Sequence, residues 1–166
     1  MGVLRIGSRQ IEHLDFEAFW FRERDRLDRA LTLTLGDPVL AAEAVDEAMA
    51  RALERWHVVG RYERPAGWVY RVALNWARSW LRKWNRRPTR PASQLDRPSL
   101  DDLPDPDLAG PLAALRVEER TAVVLRFYLQ FTPTEIAEVM NIPTGTAKSH
   151  VHRGLANLRS LMEVRP

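Results

Sequence analysis

The stretch from Thr134 to Arg153, TEIAEVMNIPTGTAKSHVHR, leaves few folds open to the chain that carries it. Ile136, Ala137 and Met140 recur at helical spacing and form a short apolar face. Asn141 follows where the backbone needs a left-handed residue, a conformation that Asn tolerates better than most. Ile142 plugs the turn, and Pro143 cannot continue the first helix but can start the next. Beyond it, Ala147, Val151, Leu155, Leu158 and Met162 advance by steps of three and four, the pattern of an amphipathic helix. The small residues Ala137 and Ala147 let the two helices cross closely. The product is a helix-turn-helix, whose second helix normally enters the DNA major groove.

The polar edge of that second helix carries Thr146, Lys148, Ser149, His150, His152 and Arg153. Lys and Arg grip phosphate or read guanine, and Ser and Thr hydroxyls can do either. An ordinary helical hairpin with a solvated face is the plainer alternative, and the turn chemistry and the charge asymmetry of the chain argue against it. His150 and His152 do not form a metal site, because residues two apart on a helix face away from each other. No metal or other cofactor is expected.

Charge is distributed in blocks. The net charge is only +3, yet residues 61–90 hold nine Lys or Arg against the single Glu63. Residues 92–111 reverse the balance, with five acidic side chains against Arg97. Such blocks suit a protein that touches both nucleic acid and another protein. The chain has no Cys, which fits a reducing cytosol and excludes disulfides and thiolate metal sites. No window approaches the ~20 continuous apolar residues of a membrane span, and no signal-peptide core opens the chain. The expected setting is cytoplasmic, without membrane insertion.

The expected fold is all-α, with two small helical domains joined by a Pro/Asp-rich linker, the C-terminal domain being the helix-turn-helix. The boundaries fall at residues 14–87, 88–111 and 112–163. Between Pro88 and Pro111 lie 6 of the 11 prolines, several aspartates and no sustained helical period, so no stable element is expected over 92–111. In the first domain, Asp15 is read as the cap of a helix carrying Phe16, Phe19, Trp20, Leu27 and Leu31. Gly36-Asp37-Pro38 ends it, with Asp37 as N-cap of the next helix and Pro38 in its first turn. Val58 to Arg64 reads as a loop, and Pro65 opens a long helix running to about Trp84. In that helix Trp68 and Trp76 are read as core. Trp80 and Trp84 lie among Arg78, Arg82, Lys83, Arg86 and Arg87, an interleaving suited to a phosphate backbone and unpaired bases.

These segments resemble, in order and spacing, a bacterial RNA polymerase sigma factor of the extracytoplasmic-function (ECF) group. LGDPVLAAEAVDEAMARALERW (Leu35 to Trp56) is similar to that family's polymerase-binding helix, in its region 2. WVYRVALN (Trp68 to Asn75) with its Arg-rich tail looks like the promoter-melting helix, and Phe131 to Arg159 like the region 4 helix-turn-helix. The resemblance implies that Asp46, Glu47 and Arg51 dock on the clamp helices of the β′ subunit of core RNA polymerase. It implies that Arg61 and Tyr62, in the loop Gly60 to Arg64, help capture a base flipped from the −10 element, with Asn75 near that pocket. Trp80 is placed close to the melted strand, and Arg78, Arg82 and Lys83 on its backbone. Thr146, Lys148, Ser149, His150, His152 and Arg153 would read the −35 element of promoter DNA, and their domain would bind the β flap. The family also leaves room for an anti-sigma factor as a further partner. Pro65-Ala66 stands where the family often has Phe or Tyr, Ser79 near a frequent Asp, and His150 where Arg is common.

Two other classes of protein fit the sequence less well. A helix-turn-helix regulator binding its operator without polymerase would need a regulatory N-terminal domain, usually α/β, and this N-terminal half has no strand pattern. An enzyme would need a paired-carboxylate, phosphate-loop or His-Asp-Ser constellation, and none is present.

Overall fold

At Gly36-Asp37-Pro38 the chain breaks between two helices where the sequence predicts. Residues 7–85 and 106–164 are described by the computed structural model, and every regular element among them is helical. Helix α1 (Gly7–Leu35) stops at Gly36, whose φ of +68° is natural only for a residue without a Cβ. Asp37 Oδ1 then accepts the Leu40 N–H at 3.0 Å and Pro38 occupies the first turn of α2 (Pro38–Glu54). Asp15 is not a cap: it lies inside α1, which begins eight residues earlier at Gly7. No Pro or Gly between Gly7 and Asp15 gives the helix a reason to stop.

Helix α2 presents Ala41, Ala44, Ala48 and Ala52 inward with Val45 and Met49, so it seats closely on its neighbours. The short α3 (Trp56–Val59) reaches into the expected loop Val58 to Arg64 by its last two residues, and it is anchored because Trp56 packs edge-on to Phe16 and against Phe19. Helix α4 (Pro65–Asn85) buries Val69, Tyr70, Ala73, Leu74 and Ala77. Tyr70 joins α4 to α1. The Thr34 hydroxyl donates to Ala30 O, so the Tyr70 hydroxyl, 2.6 Å away, donates to Thr34. Burial pushes the Tyr70 phenol far above its ordinary pKa and keeps it a neutral donor.

In the C-terminal half, α5 (Pro106–Ala114) takes in residues 106–111 of the stretch expected to hold no stable element. Composition misleads there because tertiary packing decides. Leu112 and Leu115 bury with Val123 and Leu158, and Leu108 and Leu33 pack against them, which offsets the cost of Pro111 inside the helix. The rest of the expected linker, 88–105, lies outside the described residues. Helix α6 (Val117–Val123) runs into a π-helical turn (Val124–Tyr128), closed by Leu129 N–H donating to Val124 O at 3.1 Å. Helices α7 (Pro133–Met140) and α8 (Thr144–Glu163) complete the chain. Gly154 lets α8 press on α6, since a Cβ there would lie 2.6 Å from Val123 Cγ2 and 3.0 Å from Glu119 O. Met162, expected on the inner face, is exposed, because α8 runs past the end of the surface it packs on.

The two halves touch. One apolar core runs through both, from Phe19 and Leu31 to Phe131, Ile136 and Ala147. Arg120 stitches them further. Its guanidinium donates to Leu112 O (2.8 Å), Ala113 O (3.1 Å) and Leu115 O (2.9 Å) at the end of α5, and to Thr34 O (2.9 Å) in the last turn of α1. Arg120→Met keeps the length of the side chain and removes all four bonds. A loss of roughly 2–3 kcal/mol is expected, since hydrogen bonds from charged donors contribute about 1.5–3 kcal/mol. Urea denaturation reads it directly.

Candidate nucleic-acid interface

Local chemistry builds the helix-turn-helix. Thr132 caps α7 by accepting the Glu135 N–H at 3.2 Å, while Glu135 Oε2 accepts the Thr132 N–H at 2.7 Å, a reciprocal capping box. Asn141 ends α7 in the left-handed region (φ 54°, ψ 52°), and Pro143 immediately precedes α8. Ala137 and Ala147 are both buried at the crossing, as their size predicts.

On the outer face of α8, Lys148, Ser149, His152 and Arg153 line a shallow depression of about 320 Å³. The Ser149 hydroxyl donates back to Gly145 O at 3.0 Å, and Arg153 Nε reaches Ser149 O at 3.4 Å. The other two residues expected on this face lie at its margin. Thr146 is half-buried, and so is His150, whose Nδ1 is buried without a hydrogen-bond partner. The ring of His150 is therefore turned partly toward the protein rather than wholly toward a ligand.

A second polar surface runs along α4. Asn75, Arg78 and Arg82 are exposed and follow one another by steps of three and four, so they form one stripe. Arg71, one turn before Asn75 and also exposed, extends it; counting back by four from Asn75 was the signal that sequence reading missed. Lys83 is exposed beside the stripe, and Arg61 and Tyr62 stand exposed in the loop that leads into α4. Trp80 lies elsewhere. It is half-buried, packs against the core and sits 5.0 Å, centroid to centroid, from Trp84. Trp68 and Trp76 also pack against the core, as read from the sequence.

On α2, Asp46, Glu47 and Arg51 share the solvent side but are already engaged within the chain. Arg24 Nη2 donates to Asp46 Oδ1 at 2.9 Å, and Arg51 Nε to Glu47 Oε1 at 3.0 Å. Burial pulls the Arg24 guanidinium pKa down, but Asp46, Asp28 and Asp25 outweigh it and the net shift is upward. Asp28 is pushed up, chiefly by burial, with Arg24 opposing. Among the described residues no group of His, Asp or Glu could hold a metal ion. No helix there is long and apolar enough to cross a membrane.

These features define a DNA-binding protein with a basic recognition helix and a basic second helical surface. Residues 112–158 match the family described as "Sigma-70, region 4". Along almost the whole length, the chain is 30% identical to an RNA polymerase sigma-E factor of Streptomyces coelicolor, covering 93% of this chain and 89% of that one. It is 29% identical to the ECF RNA polymerase sigma factor SigL of Mycobacterium tuberculosis, over 81% of this chain and 80% of that protein. The fold is that of the sigma factor RpoE of Bartonella quintana, solved with the anti-sigma factor NepR. That match has a TM-score of 0.73 at 21% identity, covering 92% of this chain and 99% of the other. The chain belongs to the RNA polymerase sigma factors, in the ECF group.

Thr132 positions the whole reading unit. Replacing it by Ala is expected to cost about 1 kcal/mol, the usual value of an N-cap. The thermal midpoint of the full chain checks it.

Proposed function

We infer that this chain is a promoter-specificity factor that brings core RNA polymerase to its start sites and helps open the DNA there. The single observation that carries this is a match to sigma factors running through both halves, joined to a basic helix-turn-helix face at one end. In this reading α8 reads the −35 element through Lys148, Ser149, His152 and Arg153, with Thr146 and His150 at the edge. The stripe of Asn75, Arg78 and Arg82, with Lys83, Arg61 and Tyr62, follows the strand that unpairs at the −10 element. Trp80 serves this surface through its packing with Trp84, holding the end of α4.

Asp46, Glu47 and Arg51 are the docking residues for the β′ clamp helices, and the C-terminal half meets the β flap. The protein does no covalent chemistry and works in the cytoplasm. The similar fold of the Bartonella quintana sigma factor, solved with the anti-sigma factor NepR, supports an anti-sigma factor as a further partner. Transcription by core polymerase with and without the chain, on templates selected by the complex, tests the proposal. Operator binding by the chain alone, with no gain from core, would point instead to a repressor.

Reversing Asp46 and Glu47 to Lys should abolish pull-down of core polymerase. The cost in stability is expected to stay within about 1 kcal/mol for each exposed ion pair lost. A collapse of the melting curve would assign both carboxylates to folding.

The two DNA-reading surfaces should fail in different ways. Lys148→Ala or Arg153→Ala removes duplex contacts, where a good base contact gives about 1–3 kcal/mol of discrimination. Closed-complex binding weakens and choice within the −35 element relaxes. Tyr62→Ala or Asn75→Ala leaves closed binding nearly intact and slows opening, since stacking gives about 1–3 kcal/mol per base. A template mismatched across the −10 element rescues only the second pair. Permanganate reactivity of −10 thymines is the readout, and equal rescue of both pairs would overturn the division.

A further inference from the structure

Glu119 is a buried acidic side chain that neither DNA-reading surface uses. It stands in the first turn of α6 and is only 6% exposed. Its Oε2 accepts an N–H from Asn157 Nδ2 at 3.0 Å, a bond that joins α6 to α8 across 38 positions of sequence. The same residue meets α8 a second time. A Cβ at Gly154 would lie 3.0 Å from Glu119 O and 3.3 Å from Glu119 Cβ, so the bare backbone of α8 rests on Glu119 there. Positions 154 and 157 are neighbours on one side of a helix. Held at two points by one residue, α8 is fixed both in its rotation about its own axis and in its slide along α6.

The bond contributes direction more than stability. Apolar burial around Leu112, Leu115, Val123 and Leu158 already ties these helices together. Asn157 itself is exposed and adds little to that core. A buried polar pair gives up water to form, so replacing it with apolar groups of the same shape is often nearly neutral. An apolar contact, however, tolerates sliding, whereas a hydrogen bond holds its heavy atoms within a range of about 0.5 Å.

The lever is short. Asn157 lies one turn beyond Arg153, ~6 Å along the axis, and ~13 Å beyond Lys148 at 1.5 Å per residue. At a helix radius of 5–6 Å, turning α8 by about 10–20° carries its outer side chains by roughly 1–2 Å. That shift exceeds the range a hydrogen bond to a base edge allows. We propose that Glu119 and Asn157 are positioning residues for −35 recognition, setting the roll of α8 and so which base edges Lys148, Ser149 and Arg153 meet. This rests on the sigma-factor reading of α8, and the test separates the two.

Glu119→Met keeps the length of the side chain and fills the buried site without the bond. Glu119→Gln keeps an oxygen for Asn157. Asn157→Asp sets two acceptors face to face, and combining it with Glu119→Gln restores one donor and one acceptor. Open complexes formed by core polymerase with each full-length variant are compared on two templates: the promoter that the wild-type complex selects, and the same promoter with its −35 bases changed. Wild type should prefer the first. Glu119→Met and Asn157→Asp should each lower that preference about ten-fold, roughly the discrimination of one good base contact. Glu119→Gln and the exchanged pair should stay close to wild type. The thermal midpoint of Glu119→Met should remain within a few degrees of wild type, which a merely structural role would not allow. Unchanged preference in Glu119→Met, or preference that falls only in step with the thermal midpoint, overturns the proposal. Should Glu119→Met fail to fold, the exchange decides: a pair that does not recover the preference lost in Asn157→Asp overturns it equally. If wild type with core shows no preference between the templates, the reading of α8 itself falls, and the positioning role with it.

Discussion

The guanidinium of Arg120 is the constraint on which the C-terminal half depends. Helix ends leave carbonyls without partners, and a C-terminus carries partial negative charge. Arg120 meets the ends of two helices at once, closing Leu112, Ala113 and Leu115 O at the C-terminal end of α5 and Thr34 O at the end of α1. Its desolvation lowers its pKa, yet Arg remains charged under any ordinary condition, so the junction is insensitive to pH. From this point α5 is fixed, the small core around Leu112 and Leu158 can form, and α8 is held against α6 at Gly154. The outer face of α8 that carries Lys148, His152 and Arg153 is thereby aimed from the helix's own inner side.

Polar side chains in this protein repeatedly serve the chain before they serve a partner. Asp46 is held by Arg24 and Glu47 by Arg51. Arg64 is spent on three neighbours of the opposite half. Exposed pairs of this kind are weak, so they orient side chains without locking them. On the proposed reading, docking on polymerase would exchange such pairs for intermolecular ones, which would make the surface selective rather than simply sticky.

The parts of the fold written in local chemistry were legible from the sequence. Asp37-Pro38 marks the start of α2, and Asn141-Ile142-Pro143 marks the turn of the helix-turn-helix, because each signal acts within a few residues. Capping by Asp15 and the extent of the linker misread because no local rule decides them. Helix α1 continues for want of a breaker, and α5 forms because Leu112 and Leu115 find a distant seat. At the site, the exposed stripe on α4 was mostly readable from helical period, which covers Asn75, Arg78 and Arg82. The half-burial of His150 and the engagement of Arg64 were not. The partners of Arg64 lie 65 and 66 positions away, and nothing in a linear pattern points to them.

Helix α8 separates what can vary from what cannot. Its inner side is pinned at Ala147, Gly154 and Leu158, where added volume meets packed atoms. Lys148, His152 and Arg153 touch none of that core, and substitutions at such exposed positions usually change stability by no more than about 0.5 kcal/mol. The recognition surface can therefore drift or be redesigned as an interchangeable face. On the proposed reading of α8, new promoter preferences are open to this scaffold through a few side chains, while its folding is left untouched.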